Sequence, residues 1–305
     1  MPIDPASICV IANPGSGRNT RDAEAIDAAM AVFGGATLRR WQPGQDLADT
    51  VRQALDDGFT TIVAAGGDGT VMGVANAMKG SDAALGVLPL GTFNYFARGL
   101  EFPQEPEPAA RAILNGDPHR IAVGTVNGQV FLNNASIGIY PAILKQRETV
   151  YKRWGRWRIA AHWSVLKTFL RYRKPWTMTL ITDEGTRTVR TPLVFVARSA
   201  YQLERFGLPG MEEISNDDLV LFISHAEGKW ALIKTTWRLC MGTVKLGRDI
   251  DLIHTRAISI DTNGGKLLVA YDGEKSRMPT PLEFAIEPDA LSIIIPRKAD
   301  RVVTA

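Results

Sequence analysis

Over the first third of the chain, short apolar runs ending in glycine-rich turns alternate with amphipathic stretches. Residues 7–12 form one such run and lead into Asn13-Pro14-Gly15-Ser16-Gly17-Arg18. Residues 22–33 then read as a helix and 36–41 as a second strand. Residues 46–57 carry Leu47, Val51, Ala54 and Leu55 at helical spacing. A third strand over 61–65 runs into Gly66-Gly67-Asp68-Gly69-Thr70, and 71–78 reads as the following helix. A fourth, 84–89, runs into Leu90-Gly91-Thr92-Phe93-Asn94 and a further helix start. Strands alternating with helices imply a parallel sheet covered on its faces. Ligands of such sheets bind beyond the carboxyl ends of the strands, where all three glycine turns fall.

Near residue 120 the pattern changes to short strands joined by tight turns. Residues 123–126 and 129–133 flank Asn127-Gly128, a pair suited to a type I′ hairpin. Residues 177–182 and 186–189 flank Asp183-Glu184-Gly185. Further strands read over 193–198, 219–224, 257–260, 267–271, 282–287 and 291–296, with one helical interruption around 156–172. The expected organisation is an α/β unit over 1–121 and a mostly antiparallel β unit over 122–289. The last strand, 290–297, is expected to return to the first unit.

Composition narrows the classes. The chain has 305 residues, of which 45% are hydrophobic and 22% charged, so it can bury a core and is not globally disordered. Cys9 and Cys240 are the two cysteines, too few for a disulfide framework or a cysteine-based zinc site. The four histidines show no metal-ligand spacing. The start of the chain carries Asp4 and no basic lead, and no apolar run reaches the ~18–20 residues of a spanning helix. A cytoplasmic protein is the expectation.

The net charge of +3 is unevenly distributed. Residues 145–174 hold ten Lys or Arg against Glu148, a net +9, which leaves −6 for the remainder. Segment 145–176 also holds Trp154, Trp157, Trp163 and Trp176, four of the seven tryptophans. Ile159, Trp163, Leu166 and Leu170 form an apolar stripe. Basic residues with interfacial tryptophans fit a helix lying on an anionic membrane surface, so peripheral membrane association is the expectation. A stripe packed on the β unit with solvated charges is the plainer alternative. No recognised nucleic-acid fold supports a nucleic-acid partner.

Glycines at 66, 67 and 69 allow a ligand to approach the main chain, and the helix start that follows favours an anion. An acid inside such a turn points to a cation accompanying the anion, so Asp68 beside Thr70 fits a nucleotide phosphate with Mg²⁺. A purely geometric turn is the alternative. The phosphate loop ending Gly-Lys-Ser/Thr does not occur, and Met72 stands where a dinucleotide fingerprint needs its third glycine.

Asn13-Pro14-Gly15-Ser16-Gly17, Gly66-Gly67-Asp68-Gly69-Thr70, Pro89-Leu90-Gly91-Thr92-Phe93-Asn94 and Asp272-Gly273-Glu274 occur in the order and spacing of the diacylglycerol kinase catalytic family. That family also includes sphingosine and ceramide kinases. The resemblance implies a nucleotide-binding α/β domain, a β-sandwich lipid domain and an active site in a cleft. It also implies transfer of the ATP γ-phosphate, with Mg²⁺, to the hydroxyl of diacylglycerol or a similar lipid, ceramide or a sphingoid base being the alternative. By resemblance, Asn13, Pro14, Gly15, Ser16 and Gly17, with Gly66, Gly67, Asp68, Gly69 and Thr70, line the nucleotide. Gly91, Thr92 and Asn94 do the same, and Glu274 takes the proton of the lipid hydroxyl, with Asp68 as its catalytic partner. Asp68 and Asp217 are the candidate metal ligands, and family members can form homodimers.

The chain departs from the family at Val71-Met72-Gly73, at Ala122 and Arg40, and in Ser215-Asn216-Asp217-Asp218-Leu219, a loop that resembles a structural Mg²⁺ site. NAD kinases share the Gly-Gly-Asp-Gly-Thr loop, so an NAD-kinase-like metabolite kinase is a second reading. A weakly active, lipid-binding regulatory protein is a third.

Overall fold

The computed structural model describes residues 3–12, 20–41, 44–139, 175–262 and 264–302. The chain divides into two compact units, residues 1–123 with 287–305, and residues 124–286.

In the first unit, β1 (Ile8–Ala12), β2 (Thr37–Arg40), β3 (Thr61–Gly66) and β4 (Ala84–Pro89) form a parallel sheet in the order β2-β1-β3-β4. The chain's final strand extends it, with Ser292 and Ile293 parallel to Ala84 and Leu85. Every residue of β1, β3 and β4 is buried, as expected for strands covered on both faces. Cys9 belongs to this core, and burial pushes its thiol up to about 11. It is therefore a protonated packing residue at neutral pH.

The helices are α1 (Thr20–Phe33), α2 (Leu47–Asp56), α3 (Asp68–Met78), α4 (Tyr95–Gly99) and α5 (Pro106–Asn115). Asp46 caps α2 by accepting from the Ala48 N–H at 3.0 Å. The first turn of α3 begins three residues before the apolar pattern does. Extended Gly67 is its N-cap, and the Asp68 carboxylate sits favourably at the positive end of the helix.

The second unit is antiparallel. Its strands are β5 (Asp117–Val126, which enters from the first unit), β6 (Gln129–Phe131), β7 (Asn134–Gly138), β8 (Trp176–Thr182), β9 (Gly185–Thr191), β10 (Leu193–Ala197), β11 (Leu219–Ser224), β12 (Ile250–Thr255), β13 (Ala257–Asp261), β14 (Lys266–Tyr271), β15 (Glu274–Pro279) and β16 (Leu282–Ile295). One sheet runs β12-β11-β10-β7-β14-β15, and the other contains β5, β6, β16, β13, β8 and β9. Phe131, Met178, Leu180 and Phe284 from one sheet share a core with Ile137, Val196, Leu221 and Val269 from the other. This is a sandwich. Asn127 and Gly128 both have positive φ, 47° and 79°, as the type I′ reading requires.

Three further helices, α6 (Ala200–Arg205), α7 (Met211–Ser215) and α8 (Lys229–Cys240), correct the expectation of one helical interruption. The interruption read over 156–172 lies outside the described residues. Strands 282–287 and 291–296 are one strand, β16. The residues between them, Pro288 to Ala290, continue the strand, with Asp289 at φ 48°.

Candidate functional site

The turns after β3 and β4 meet. A Cβ on Gly91 would lie 2.5 Å from the Cα of Gly67, and one on Gly67 would lie 3.2 Å from the Cα of Gly91. Two main chains this close require glycine at both positions. A Cβ on Gly66 would lie 2.5 Å from Thr70 Oγ1, so the buried threonine packs directly over that glycine.

Side chains then lock the two turns. Asp68 Oδ1 accepts from the Phe96 N–H at 3.1 Å, joining the start of α3 to the start of α4. Buried Asn94, at φ 50°, accepts from the Gly91 N–H at 2.9 Å through Oδ1. Its Nδ2 donates to Gly91 O and Gln104 Oε1, both at 3.1 Å. Asn94 therefore shapes the loop, while Thr92 and Phe93 are exposed on it. Phe93 stacks on Tyr95 with ring centroids 5.5 Å apart. The remaining turn, Asn13 to Gly17, lies outside the described residues.

This cradle fits a nucleotide's phosphates. At the start of α3 the Thr70 and Val71 N–H groups donate to the Gly67 carbonyl at 2.9 and 3.1 Å, Gly67 offers no side chain as a cap, and the positive end of the helix favours an anion. Asp68 is accounted for without a cation, because a main-chain donor and the helix start already favour a carboxylate there. Asp68 remains the acidic group in the cradle that could join a Mg²⁺ carried on phosphates, which typically binds only one or two carboxylates. No cluster of three His, Cys, Asp or Glu suited to a metal occurs among the described residues.

Asp217 does not fit a resident metal. It has φ 62°, and its Oδ1 accepts from Arg198 Nη2 at 2.6 Å. Arg198 Nη1 donates to the Ile214 carbonyl at 3.0 Å, so a guanidinium takes the oxygens of that loop. Neighbouring Asp218 pairs with His254 at 3.2 Å and Arg256 at 3.6 Å.

In the second unit, Asp272-Gly273 is the two-residue turn joining β14 to β15, with φ 45° and 90°. Glu274 follows it, exposed and in register with Tyr271. Burial, then the Glu274 charge, raises the pKa of the Tyr271 phenol. Asp272 itself is buried. Its carboxylate accepts from the main-chain N–H groups of Leu132, Asn133 and Asn134 at 2.5, 2.9 and 3.0 Å, and its own N–H donates to Asn134 O. Asn134 Nδ2 continues the network to buried Gln202 at 2.9 Å. The turn presenting Glu274 is thus pinned by the Asp272 carboxylate, which the sequence marks as part of a motif but to which it assigns no role.

Residues 7–126 match the profile of the diacylglycerol kinase catalytic domain. The likeness to that family runs from Ser7 to Val126. The matched stretch holds both glycine turns just described. A "Probable lipid kinase YegS-like" protein of Pseudomonas aeruginosa (strain UCBPP-PA14) is 47% identical over 100 residues, 32% of each chain. The "Diacylglycerol kinase" of Bacillus subtilis (strain 168) is 43% identical over 96 residues, 30% of this chain and 32% of the relative. The chain thus matches about a third of the length of these curated relatives.

Similarity of fold extends further. A crystal structure of a diacylglycerol kinase from Bacillus anthracis str. Sterne aligns with TM-score 0.66 at 19% identity, covering 96% of this chain and 98% of that one. A second structure from that organism gives a TM-score of 0.71 at 20% identity, with the same coverage.

Proposed function

We propose that this protein is a lipid kinase that transfers the γ-phosphate of ATP to the hydroxyl of diacylglycerol or a similar membrane lipid. The observation that carries the reading is the pair of turns at Gly67 and Gly91, bound together through Asp68 and Phe96, inside the region matched by the catalytic-domain family. The names of the relatives support a lipid acceptor, and one of them names diacylglycerol.

Phosphoryl transfer asks little covalent chemistry of the protein. Positioning and charge stabilisation dominate, with a carboxylate to orient the acceptor. In this reading the triphosphate lies on the helix start of α3, with the Asn13 to Gly17 turn as a further phosphate contact. Mg²⁺, when bound, neutralises charge on the transferring phosphoryl group, and Asp68 is its candidate ligand. The lipid hydroxyl oxygen bonds to the γ-phosphorus as the bond to the ADP oxygen breaks, and Glu274 receives the hydroxyl proton. Asp272 acts by positioning Glu274. Segment 145–176 is assigned to an anionic membrane surface.

The test is incubation of the purified protein with labelled ATP and a panel of diacylglycerol, ceramide, sphingoid base and NAD. Labelled phosphatidic acid, lost in Glu274→Gln, is the expected product. Labelling of NAD without lipid would assign the protein to the metabolite-kinase class.

A further inference from the structure

Helix α8 buries Leu232 against Ile139 and Ala226, with Ile233 packed alongside. Its opposite face is unusual. Trp230 is 71% exposed, Trp237 68% and Met241, at its C-cap, 60%. With exposed Lys234 these residues follow the spacing 230, 234, 237, 241, one stripe along the helix. Large side chains of this kind seldom stand in water as a row without a partner.

Charge indicates the partner. Residues 229–248 contain Lys229, Lys234, Arg238, Lys245 and Arg248 and no Asp or Glu. Lys229 Nζ lies 5.8 Å from the Trp230 ring centroid. The face is held in place. Arg238 donates to Asp249 Oδ1 at 2.5 Å, and the Asp249 carboxylate also accepts from the Lys245 N–H and from Arg248. A row of tryptophans beside Lys229, Lys234 and Lys245, with the buried Asp249 carboxylate taken up by Arg238 and Arg248, has the composition of an interfacial membrane contact.

We infer that the Trp230–Lys234–Trp237–Met241 face of α8 docks on an anionic lipid bilayer. The inference rests on the lipid-kinase reading only for the reason a bilayer is present, and its test needs no turnover. It adds a second surface, far along the chain from segment 145–176.

Co-sedimentation of the full chain with phosphatidylcholine vesicles, with and without phosphatidylglycerol, reads the docking directly. Wild type is expected to pellet with the anionic vesicles and to lose that binding in high salt. The double variant Trp230→Ala, Trp237→Ala should partition at least about tenfold more weakly. Lys234→Gln should weaken binding about fivefold, the share of one cation near an anionic leaflet. These side chains are exposed, so both variants should keep the wild-type melting temperature. Equal pelleting of wild type and double variant would overturn the inference, as would equal binding to neutral and anionic vesicles. A lipid-free dimer dissolved by the double variant, with vesicle binding unchanged, would assign the face to self-association and also overturn it. Failure of the kinase assay with vesicle docking intact would count against the proposed chemistry alone.

Discussion

Asp68 and Phe96, 28 residues apart, are joined by a 3.1 Å hydrogen bond from main chain to carboxylate, which couples the glycine turns after β3 and β4. A bond of this charged kind contributes roughly 1.5–3 kcal/mol. Asp68→Ala is therefore expected to weaken ATP binding on the order of tenfold, since about 1.4 kcal/mol is a factor of ten. Asp68→Asn keeps an acceptor for Phe96. If Asp68 also holds Mg²⁺, this variant should bind ATP without metal like wild type while losing the gain that Mg²⁺ confers. Calorimetric titration of ATP with and without Mg²⁺ separates the two roles.

Gly91→Ala tests the close approach itself. The new methyl would meet the Gly67 backbone and Asn94 Oδ1 at 2.5 and 2.6 Å. Overpacking of this kind costs about 1–3 kcal/mol, which corresponds to a melting temperature lower by several degrees. Gly228→Ala, where a Cβ meets nothing within 4 Å, is the control and should melt close to wild type. Thermal denaturation of the three proteins decides it.

Asp272 and Glu274 should separate stability from chemistry. Asp272→Ala strands three main-chain donors in a buried site. Each unsatisfied group costs about 1–3 kcal/mol, so denaturant unfolding should show a loss of at least about 3 kcal/mol. Glu274→Gln alters an exposed side chain and should leave the unfolding midpoint within experimental error while removing activity.

Acid should loosen the anchor of α8. Arg248 foremost, then the Lys245 N–H and Arg238, hold the Asp249 carboxyl well below its usual range, against the opposing effect of burial. A depressed native pKa contributes stability that is fully present above the unfolded value of about 3.9 and is lost as pH falls through the native one. Wild type should therefore melt above Asp249→Asn at neutral pH, and the gap should close as pH drops below about 4. Melting curves across that range check it.

The first unit was legible because its central strands are apolar runs that lead into glycine-rich turns, and burial on both faces leaves them no other pattern. The second unit hid three strands for identifiable reasons. β15, Glu-Lys-Ser-Arg-Met-Pro, buries only Met278 and takes its place from β14. β7 opens with Asn134 and carries Ser136 at its centre, yet it lies between β10 and β14. β12 reads as Ile-Asp-Leu-Ile-His-Thr and is mostly half-buried along β11. Helix α8 escaped notice because its tryptophans point outward, against the usual reading of apolar residues as core. At the site, the glycine loops and Glu274 were legible as motifs. The pinning role of Asp272 depends on contacts some 140 residues away in sequence, which no local pattern encodes.

The central claim is that the Gly67–Gly91 cradle serves transfer of phosphate to a lipid hydroxyl. The most direct measurement is transfer of label from γ-labelled ATP to diacylglycerol in mixed micelles, by wild type and Glu274→Gln side by side. The account predicts labelled phosphatidic acid from wild type and none from the variant. Full activity in Glu274→Gln, or folded wild-type protein that binds ATP yet labels no lipid in the panel, would contradict it.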